Sequence, residues 1–573
     1  MNAPAANGPI ADALQPYLHR TRVAYFSMEI ALRPEMHTYG GGLGVLAGDT
    51  ARSAADLNLP IVFVTLVSRE GYVRQDLTED GWQASNANPW TPSDWARALP
   101  AMVAISIEGR DVWVRPWLYV LTCPVGNTVP VLLLDTDIDQ NSEEDRRITD
   151  RLYGADQAYR LKQEMVLGIG GPLLLRALGF NIGSYHLNEG HAALLTLQLL
   201  RETRRVQQPG AMPDRRMFNR EAVQERCVFT THTPVQSGFD QFDYELAGRL
   251  LGDFFPLEQL KPIAGPDRLN MTQLALNLSG YVNGVAERHA ETANKMFPGY
   301  HIRSITNGVH VHTWTHPGLA RILEARIPHW AHEPEALVTA DQIPDDELWQ
   351  AHQQAKADLI ARVKQATGVD MQLDQPIIGF ARRMTSYKRP HLLFTDVDRL
   401  RAIARDRPFQ IVLAGIAHPS DDEGKALIKD VFGHIRELAG TVPAAYLPEY
   451  DMTVAASLVA GSDIWLNTPL PPMEASGTSG MKAAINGCLN FSVLDGWWVE
   501  GCIDGVTGWS IEGDPPGSGD AESLYRKLAE VVLPTYDDRG RWIWMMKQSI
   551  SKIGSSFNSQ RMMRRYATEA YIR

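Results

Sequence analysis

The sequence predicts an α/β protein built from two doubly wound, Rossmann-like domains that face a central cleft. Apolar strand patterns alternate with helical patterns along both halves of the chain. At 573 residues, the chain is longer than one hydrophobic core usually supports. A composition of 44% hydrophobic and 21% charged residues is typical of globular proteins with a large core. Ligands of doubly wound sheets bind at the carboxyl ends of the strands, which is where we expect the cleft.

The first predicted domain covers residues 1–314. It begins with a βαβ unit in which the strand pattern VAYFSM, from Val23, leads through a glycine loop into the helical pattern LGVLAGDTARSAADLN (43–58). The strand pattern LPIVFVTLV follows. Further changes from strand to helix occur at SYHLNEGHAALLTLQLLRE (184–202) and CVFTTHTP (227–234).

The second predicted domain covers residues 315–573 and begins with a connector, 315–375. The connector contains a helical pattern at 345–368, with Pro344 before it and Gly368 where a helix would stop. The tail, 542–572, is predicted as an amphipathic helix that packs back on the first domain. Buried strands are predicted at PIIGFA (376–381), FQIVLAGI (409–416), AAYLP (444–448), DIWLN (463–467) and LNFSVL (489–494).

Charge and cysteine content narrow the class of protein. A net charge of −12 without a block of Lys and Arg argues against nucleic acid or an acidic membrane as a general partner. The four cysteines form no CxxC pair, which favours reduced thiols. No apolar run reaches the roughly 18 residues of a membrane helix, and the start lacks a signal-peptide pattern. We therefore expect a cytoplasmic protein.

One lysine, Lys482, follows a turn of small residues, EASGTSG (474–480). A strand, such a turn and a helix together form a geometry in which backbone N–H groups bind a phosphate. Spacing alone leaves two interpretations open. Gly477, Thr478 and Ser479 could hold the phosphate of pyridoxal 5′-phosphate while Lys482 forms a Schiff base, or the turn could be a Walker-type phosphate site.

A longer comparison of motifs favours the first interpretation. The stretch EASGTSGMKAAINGCLNFSVLDGWW (474–498) resembles the cofactor-lysine signature of the α-glucan phosphorylases, which include the glycogen, starch and maltodextrin phosphorylases, and especially their shorter bacterial branch. Five other stretches resemble segments of that family in the same order: VAYFSMEIALRPEMHTYGGGLGVLAGD, YHLNEGHAALL, TTHTPVQSG, TNGVHVHTW and ARRMTSYKRPHLL. The fold that this resemblance implies is the GT-B type of glycosyltransferase.

The resemblance implies a cofactor, pyridoxal 5′-phosphate, bound covalently to Lys482. Asp451 stands where the better-known branch has an arginine, so the cofactor phosphate is held differently here or the alignment shifts. The other cofactor-binding residues that the resemblance implies are Gly477, Thr478, Ser479, Arg382, Trp314 and Tyr450.

The resemblance also implies a substrate site. Arg383 and Lys388 would clamp the substrate phosphate, and the backbone N–H of Gly42, in the glycine loop, would face it. His232 would contact the glucosyl unit being transferred, whereas Arg389 is expected to face solvent. The residues implied to bind the sugar hydroxyls are Asn307, Glu474, Ser476 and Gly477, with Tyr387 as a further candidate.

The implied reaction is the reversible phosphorolysis of an α-1,4-glucan or maltooligosaccharide. Inorganic phosphate would give α-D-glucose 1-phosphate with retention of configuration, and the cofactor phosphate would act as the proton source in place of the two carboxylates of glycosidases. Because the chain begins close to its first strand, we expect constitutive activity that AMP does not change. A homo-oligomer is possible.

Other readings of the same residues remain. A nucleotide-sugar glycosyltransferase could share the architecture but would carry no pyridoxal group. A further alternative is a non-catalytic glucan-binding relative. Another is a pyridoxal enzyme that acts on amino acids, which would need a carboxylate beside the pyridine nitrogen. The histidines of HLNEGH (186–191), and those at 310, 312 and 316, lack the HExxH spacing, so we expect no metal.

Overall fold

The computed structural model describes residues 9–154, 156–203, 218–235, 238–513 and 517–572. Its strands are β1 (Val23–Ser27), β2 (Ile61–Leu66), β3 (Arg74–Leu77), β4 (Gln83–Asn86), β5 (Arg97–Ala98), β6 (Val103–Ile107), β7 (Arg110–Thr122), β8 (Thr128–Asp135), β9 (Ser184–Asn188), β10 (Cys227–Thr230), β11 (Gln241–Asp243), β12 (Arg268–Asn270), β13 (Tyr281–Gly284), β14 (Arg303–Ser304), β15 (Ile377–Arg383), β16 (Gln410–Ile416), β17 (Ala444–Leu447), β18 (Ile464–Asn467), β19 (Leu489–Val493) and β20 (Gly508–Ile511).

The α-helices surround these strands. They are α1 (Pro9–Leu18), α2 (Gly42–Asp56), α3 (Glu143–Arg146), α4 (Gln157–Met165), α5 (Gly171–Ala177), α6 (Leu194–Glu202), α7 (Arg220–Gln224), α8 (Tyr244–Leu251), α9 (Leu257–Ala264), α10 (Met271–Leu278), α11 (Glu287–Met296), α12 (Val311–Trp314), α13 (Pro317–Arg326), α14 (Asp345–Thr367), α15 (Val397–Asp406), α16 (Asp422–Glu437), α17 (Met452–Gly461), α18 (Ser479–Ala484), α19 (Trp498–Gly501), α20 (Asp520–Lys527), α21 (Leu533–Asp537), α22 (Arg539–Ser549) and α23 (Ser559–Arg565). Among the helices of the described ranges, none combines the length and the apolar character needed to span a lipid bilayer.

The first sheet has the strand order β14-β13-β10-β9-β1-β2-β8-β7-β5, and β6 pairs with β7. It is parallel from β14 to β8. Alternate residues of β1 belong to different cores: Val23 and Tyr25 lie on one face and Ala24 and Phe26 on the other. Burial on both faces explains why this strand reads as a continuous apolar run.

The second sheet is parallel throughout and has the order β17-β16-β15-β18-β19-β20. Numbered within the sheet, this order is 3-2-1-4-5-6, as in doubly wound nucleotide-binding folds. The order reverses between β15 and β18, and in the first sheet it reverses between β1 and β9. Ligands of such sheets bind at these switch points, so the loops after these four strands are the first place to look for a site.

The predicted connector helix is α14. It ends at Gly368, whose φ of 75° is the left-handed conformation that glycine adopts without strain. Its Lys356 and His352 both contact Asp463, each at 2.9 Å, in a fully buried cluster. Burial by itself would raise the pKa of Asp463, but Lys356 and His352 lower it to about 2.

The C-terminal segment packs on the first sheet, as predicted, but not as one continuous helix. It bends at Phe557 and Asn558 before α23 begins. Residues of α23 and the last turn, Met562, Met563 and Tyr566, lie in the same core as Val23. The Tyr566 hydroxyl lies 3.1 Å from the Thr230 hydroxyl at the end of β10, so the segment also reaches the carboxyl edge of the sheet.

Gly308 allows this segment to approach. Val309 donates its N–H to the carbonyl of Phe557 at 3.1 Å, and Ser559 donates to the carbonyl of Val309 at 2.9 Å. A Cβ on Gly308 would overlap the backbone of Asn558. The contact between the two backbones therefore requires glycine.

We expect Gly308→Ala to destabilise the protein by about 1 to 3 kcal/mol, because a rigid backbone must shift to admit the methyl group. The midpoint of thermal unfolding measures this loss. Gly433→Ala is the matched control, since Gly433 lies inside α16 and nothing lies within 4 Å of the added Cβ. Equal midpoints for the two variants would contradict the steric role of Gly308.

Candidate active site

Lys482 lies on α18, the helix between β18 and β19 of the second sheet. Only 8% of its surface is exposed to solvent. Its amine lies 3.8 Å from the centroid of the Trp314 ring. Burial lowers the pKa of Lys482 to about 8, with smaller effects from Asp49, which raises it, and Arg52, which lowers it. An amine with this pKa is partly unprotonated near neutral pH and can act as a nucleophile.

Glu474 holds two cations at the turn before α18. Lys388 contacts its two carboxylate oxygens at 2.8 and 2.7 Å, and Arg382 donates to one of them at 2.6 Å. Burial by itself would raise the pKa of Glu474, but Arg382 and Lys388 lower it to about 2. The carboxylate is therefore ionised at neutral pH and neutralises part of the positive charge that β15 and the loop after it bring to the switch point.

Several buried polar atoms beside this cluster lack a partner among the described residues. They are Nε and Nη1 of Arg382 and the hydroxyl of Ser476. Buried polar groups are normally hydrogen-bonded, so these donors indicate space for an anion. Gly477, next to Ser476, has a φ of 90°, a conformation that favours glycine.

The residues present fit pyridoxal 5′-phosphate. The group needs a nucleophilic amine, an aromatic neighbour and donors for a phosphate, and Lys482, Trp314 and the orphaned donors of Arg382 supply these. The Ser479 hydroxyl accepts a hydrogen bond from the Trp465 indole at 3.2 Å and can still donate. The charge of Arg382 also reaches Tyr450, whose pKa burial raises to about 12.

The glycine loop before α2 lies opposite the guanidinium of Arg383. The N–H groups of Gly40 and Gly41 donate to the same oxygen of Glu29, at 2.6 and 3.0 Å, and α2 begins at Gly42 without a side-chain cap. A Cβ on Gly41 would lie 3.4 Å from Nη2 of Arg383. The start of a long helix and a guanidinium thus face each other, which favours an anion between them.

Arg383 is accessible to solvent, and none of the described residues accepts a hydrogen bond from it. A Cβ on Gly42 would meet nothing within 4 Å, so open space borders the loop there. Arg382, by contrast, is buried against Glu474. The adjacent arginines at the end of β15 therefore have different surroundings.

His232 is fixed by the last residue of β9 and by the residue after it. Its Nε2 lies 2.6 Å from the amide oxygen of Asn188, and its backbone N–H donates to Glu189 at 2.7 Å. Burial lowers the pKa of His232 to about 3, so the ring is neutral at neutral pH. Elsewhere, the buried amide oxygen of Asn307 has no hydrogen-bond partner among the described residues, and the centroid of the Tyr387 ring lies 4.6 Å from the amine of Lys388.

Comparison with known proteins agrees with the family resemblance that the sequence motifs indicate. Residues 240–504 match the model of a family described as carbohydrate phosphorylase. The chain is 37% identical to the maltodextrin phosphorylase of Thermococcus litoralis over 96% of its own length and 70% of that protein. It is 35% identical to the glycogen phosphorylase of Aquifex aeolicus, over 96% and 86% of the two lengths.

The chain belongs to the carbohydrate phosphorylase family. A third relative, the glycogen phosphorylase of Mycobacterium tuberculosis, is 36% identical over 96% of this chain and 71% of its own.

Two carboxylates of this phosphorylase, which hold loops at the switch point of the first sheet, were not predicted from the sequence. Glu29 follows β1 and binds the glycine loop, and its other oxygen accepts from the Tyr153 hydroxyl at 2.8 Å. Glu189 follows β9 and accepts from His232 and Thr233. Both residues lie inside motifs that resemble the family, and their position just after adjacent strands was the available signal.

Glu189 carries backbone strain. Its φ of 74° and ψ of 174° belong to a region that is nearly exclusive to glycine. Burial raises its pKa to about 7, although the N–H groups of His232 and Gly190 and the hydroxyl of Thr233 lower it. A strained, buried carboxylate persists only where its surroundings hold it, and here it fixes the loop that carries His232 in this phosphorylase.

The prediction for Arg389 was wrong. Its side chain is buried: it donates to the carbonyls of Thr468 and Pro469, at 2.9 and 2.6 Å, and pairs with Asp520 at 2.5 Å. Arg389 has a left-handed φ of 47° that turns the chain after Lys388 inward. One guanidinium, with donors on all three nitrogens, thus satisfies loop carbonyls that would otherwise be buried without partners.

Asp451 has a structural task in the phosphorylase fold. Its carboxylate accepts from the N–H of Val454 at 2.8 Å and so caps the N-terminus of α17. The negative charge is therefore used at the start of a helix, where it is stabilising.

Among the described residues, no group of His, Cys, Asp and Glu side chains is arranged to hold a metal ion.

We expect Asp451→Ala to cost about 1 kcal/mol of stability through loss of the cap and to leave the pyridoxal content of the purified protein unchanged. Thermal unfolding and mass spectrometry measure the two quantities. Asp396→Ala, which removes the equivalent cap of α15, should give a similar loss. A pyridoxal content that falls in Asp451→Ala alone would mean that Asp451 also acts at the cofactor.

Proposed function

We propose that the chain is an α-glucan phosphorylase: it cleaves α-1,4-glucans or maltooligosaccharides with inorganic phosphate and releases α-D-glucose 1-phosphate, reversibly and with retention. The observation that carries this proposal is Arg383, whose guanidinium lies opposite the start of α2 and has no hydrogen-bond partner among the described residues. The names of the relatives support it, since they are maltodextrin and glycogen phosphorylases.

Arg383 and Lys388 would bind the attacking phosphate. Arg383 offers a planar fork to two oxygens, and Lys388 offers a point charge. The backbone N–H of Gly42 and the dipole of α2 would add partial positive charge from the opposite side. Because Glu474 pairs with Lys388, phosphate and glucan would draw Lys388 and Glu474 partly apart as they bind.

Lys482 would hold pyridoxal 5′-phosphate covalently. Gly477, Thr478, Ser479 and Arg382 would hold its phosphate, and Trp314 and Tyr450 would line its pocket. When bound, the cofactor supplies a second phosphate whose pKa near 6 is raised by the first, so that a proton can be shared near neutral pH. The arginines and the lysine of this cluster offset the repulsion between two anions.

The sugar would be bound on the other side of the phosphate. Glu474, Ser476 and Asn307 offer a carboxylate, a hydroxyl and an amide oxygen to its hydroxyl groups, and Tyr387 adds an aromatic face. His232, neutral because it is buried, would place its backbone carbonyl toward the positive charge that develops on the sugar, while Glu189 keeps that loop in position.

We propose the GT-B architecture for this function, in which domains 1–314 and 315–573 would face a central cleft. The candidate residues follow β1, β9, β10 and β14 in one sheet, and in the other they end or follow β15, or follow β17 and β18. All four cysteines are free thiols, which fits a cytoplasmic location.

The test is the release of glucose 1-phosphate from a panel of glycogen, maltodextrin and short maltooligosaccharides, with and without inorganic phosphate. We expect release only with phosphate, and a pyridoxal adduct on the peptide that contains Lys482 after borohydride reduction. A protein without the adduct that instead transfers glucose from a nucleotide sugar would be a glycosyltransferase of the alternative kind. A protein with neither activity would overturn the proposal.

A further inference from the structure

Trp314, the platform beneath the Lys482 amine, is held from two sides. Asp49, on α2, is fully buried, and both of its carboxylate oxygens accept from the indole N–H of Trp314, at 2.8 and 3.1 Å. Asn486 donates to the carbonyls of Trp314 and Lys482, at 2.8 and 2.9 Å. The ring cannot rotate away without breaking its bonds to Asp49, and Asn486 ties the backbones of Trp314 and Lys482 together, so the contact between amine and ring is built in.

The carboxylate of Asp49 changes the ring that the lysine faces. A negative acceptor on the indole N–H adds electron density to the ring, and the face of an electron-rich indole attracts an ammonium group. Asp49 also acts directly through its charge, which raises the pKa of Lys482 against the effect of burial. Both effects favour the protonated amine.

Arg52 acts in the opposite sense. It lies one helical turn after Asp49, with Nη1 3.7 Å from the nearer carboxylate oxygen. Its Nη2 donates to the carbonyl of Leu32 at 2.8 Å, whereas its buried Nη1 has no hydrogen-bond acceptor among the described residues. Its positive charge lowers the pKa of Lys482, whereas Asp49 raises it. The two residues of α2 therefore have opposite effects on the same amine.

We propose that Asp49 is a positioning residue for Lys482, holding the indole of Trp314 as its platform, and that Asp49 and Arg52 act on the amine with opposite charges. The inference rests on the proposed function in one respect, namely that Lys482 is the cofactor lysine. Among the described residues, Asp49 and Arg52 are the charged groups whose field reaches the amine. Because α2 also begins at the glycine loop, one helix would serve both the phosphate site and the lysine.

The experiment measures the pKa of Lys482 in the full chain prepared without pyridoxal 5′-phosphate. Trace labelling with acetic anhydride over a range of pH, followed by mass spectrometry, reports the fraction of unprotonated amine. We expect Asp49→Asn to lower the pKa of Lys482 by about one unit, since an opposite charge nearby favours the charged form. Arg52→Gln is expected to raise it.

Asp56→Asn is the matched control, because Asp56 is an equally buried carboxylate on α2 that binds His310 and Gln560 instead of Trp314. A pKa of Lys482 that is the same in Asp49→Asn and Asp56→Asn would overturn the inference. Should Asp49→Asn fail to fold, the Arg52→Gln variant decides, and an unchanged or lowered pKa there would also overturn it. A wild-type protein that carries no pyridoxal adduct would reject the cofactor assignment instead, since the labelling needs no cofactor.

Discussion

Substitution of Lys482 by alanine is expected to lower phosphate-dependent release of glucose 1-phosphate by about 1,000-fold or more, since it removes the only covalent attachment point of the proposed cofactor. The adduct on its peptide should disappear as well. The fold should survive, because Lys482 makes no side-chain hydrogen bond with the described residues and its amine lies over the face of Trp314. Loss of activity with an unchanged unfolding midpoint is the expected combination.

Lys482→Arg is the control for charge. It keeps a cation beside Trp314, but a guanidinium stays protonated and cannot form the covalent bond. We expect it to be as inactive as the alanine variant. Activity that survives either substitution would show that Lys482 is a structural lysine and would remove the central assignment.

The fold was predictable where burial on both faces produces an unbroken apolar run. The strands from Val23, Ile61 and Ile377 are of this kind, and the connector helix was predictable because Pro344 and Gly368 bracket it. The antiparallel pair β6 and β7 escaped prediction, and so did β8, which pairs antiparallel with β7 and parallel with β2. The burial of β7 alternates along much of its length, so its polar residues interrupt the apolar pattern that marks a buried parallel strand.

The candidate site was predictable only in part. Lys482 and the turn before it stood out because small residues and one amine have no packing purpose there, and the roles of the other residues came from resemblance to a family. Glu29 and Glu189 were missed because a carboxylate that binds backbone N–H groups leaves no periodic trace in the sequence. Their roles depend on which loops meet at the switch points, which only the fold determines.

Arg389 shows the reverse error. A third basic residue in ARRMTSYKRP had no partner in sight along the sequence, so solvent was the simplest assignment. Its partners, Thr468, Pro469 and Asp520, lie some 80 to 130 residues away. Long-range backbone carbonyls are invisible to spacing arguments, whereas an arginine can satisfy several of them at once.

Substitution of Arg383 by glutamine is expected to reduce kcat/KM for inorganic phosphate by about 100- to 1,000-fold, the range seen when one preorganised donor to a developing charge is removed. No described carboxylate forms an ion pair with this guanidinium, although the charge of Glu29 reaches it, and it faces the glycine loop, so it should attract the incoming anion strongly. Initial rates at varied phosphate and saturating glucan measure the effect. Arg321→Gln, on the exposed surface of α13, should change nothing.

Arg382 provides the sharper comparison, because it is the preceding residue on the same strand. Neighbouring side chains of a strand point to opposite faces, and Glu474 already binds Arg382. We therefore expect Arg382→Gln to reduce retention of pyridoxal 5′-phosphate and Arg383→Gln to weaken phosphate, with Arg383→Lys intermediate because it keeps the charge but not the fork. If both glutamine variants weakened phosphate equally and held the cofactor normally, the division between the two arginines would be wrong, and the orphaned donors of Arg382 would belong to the substrate site.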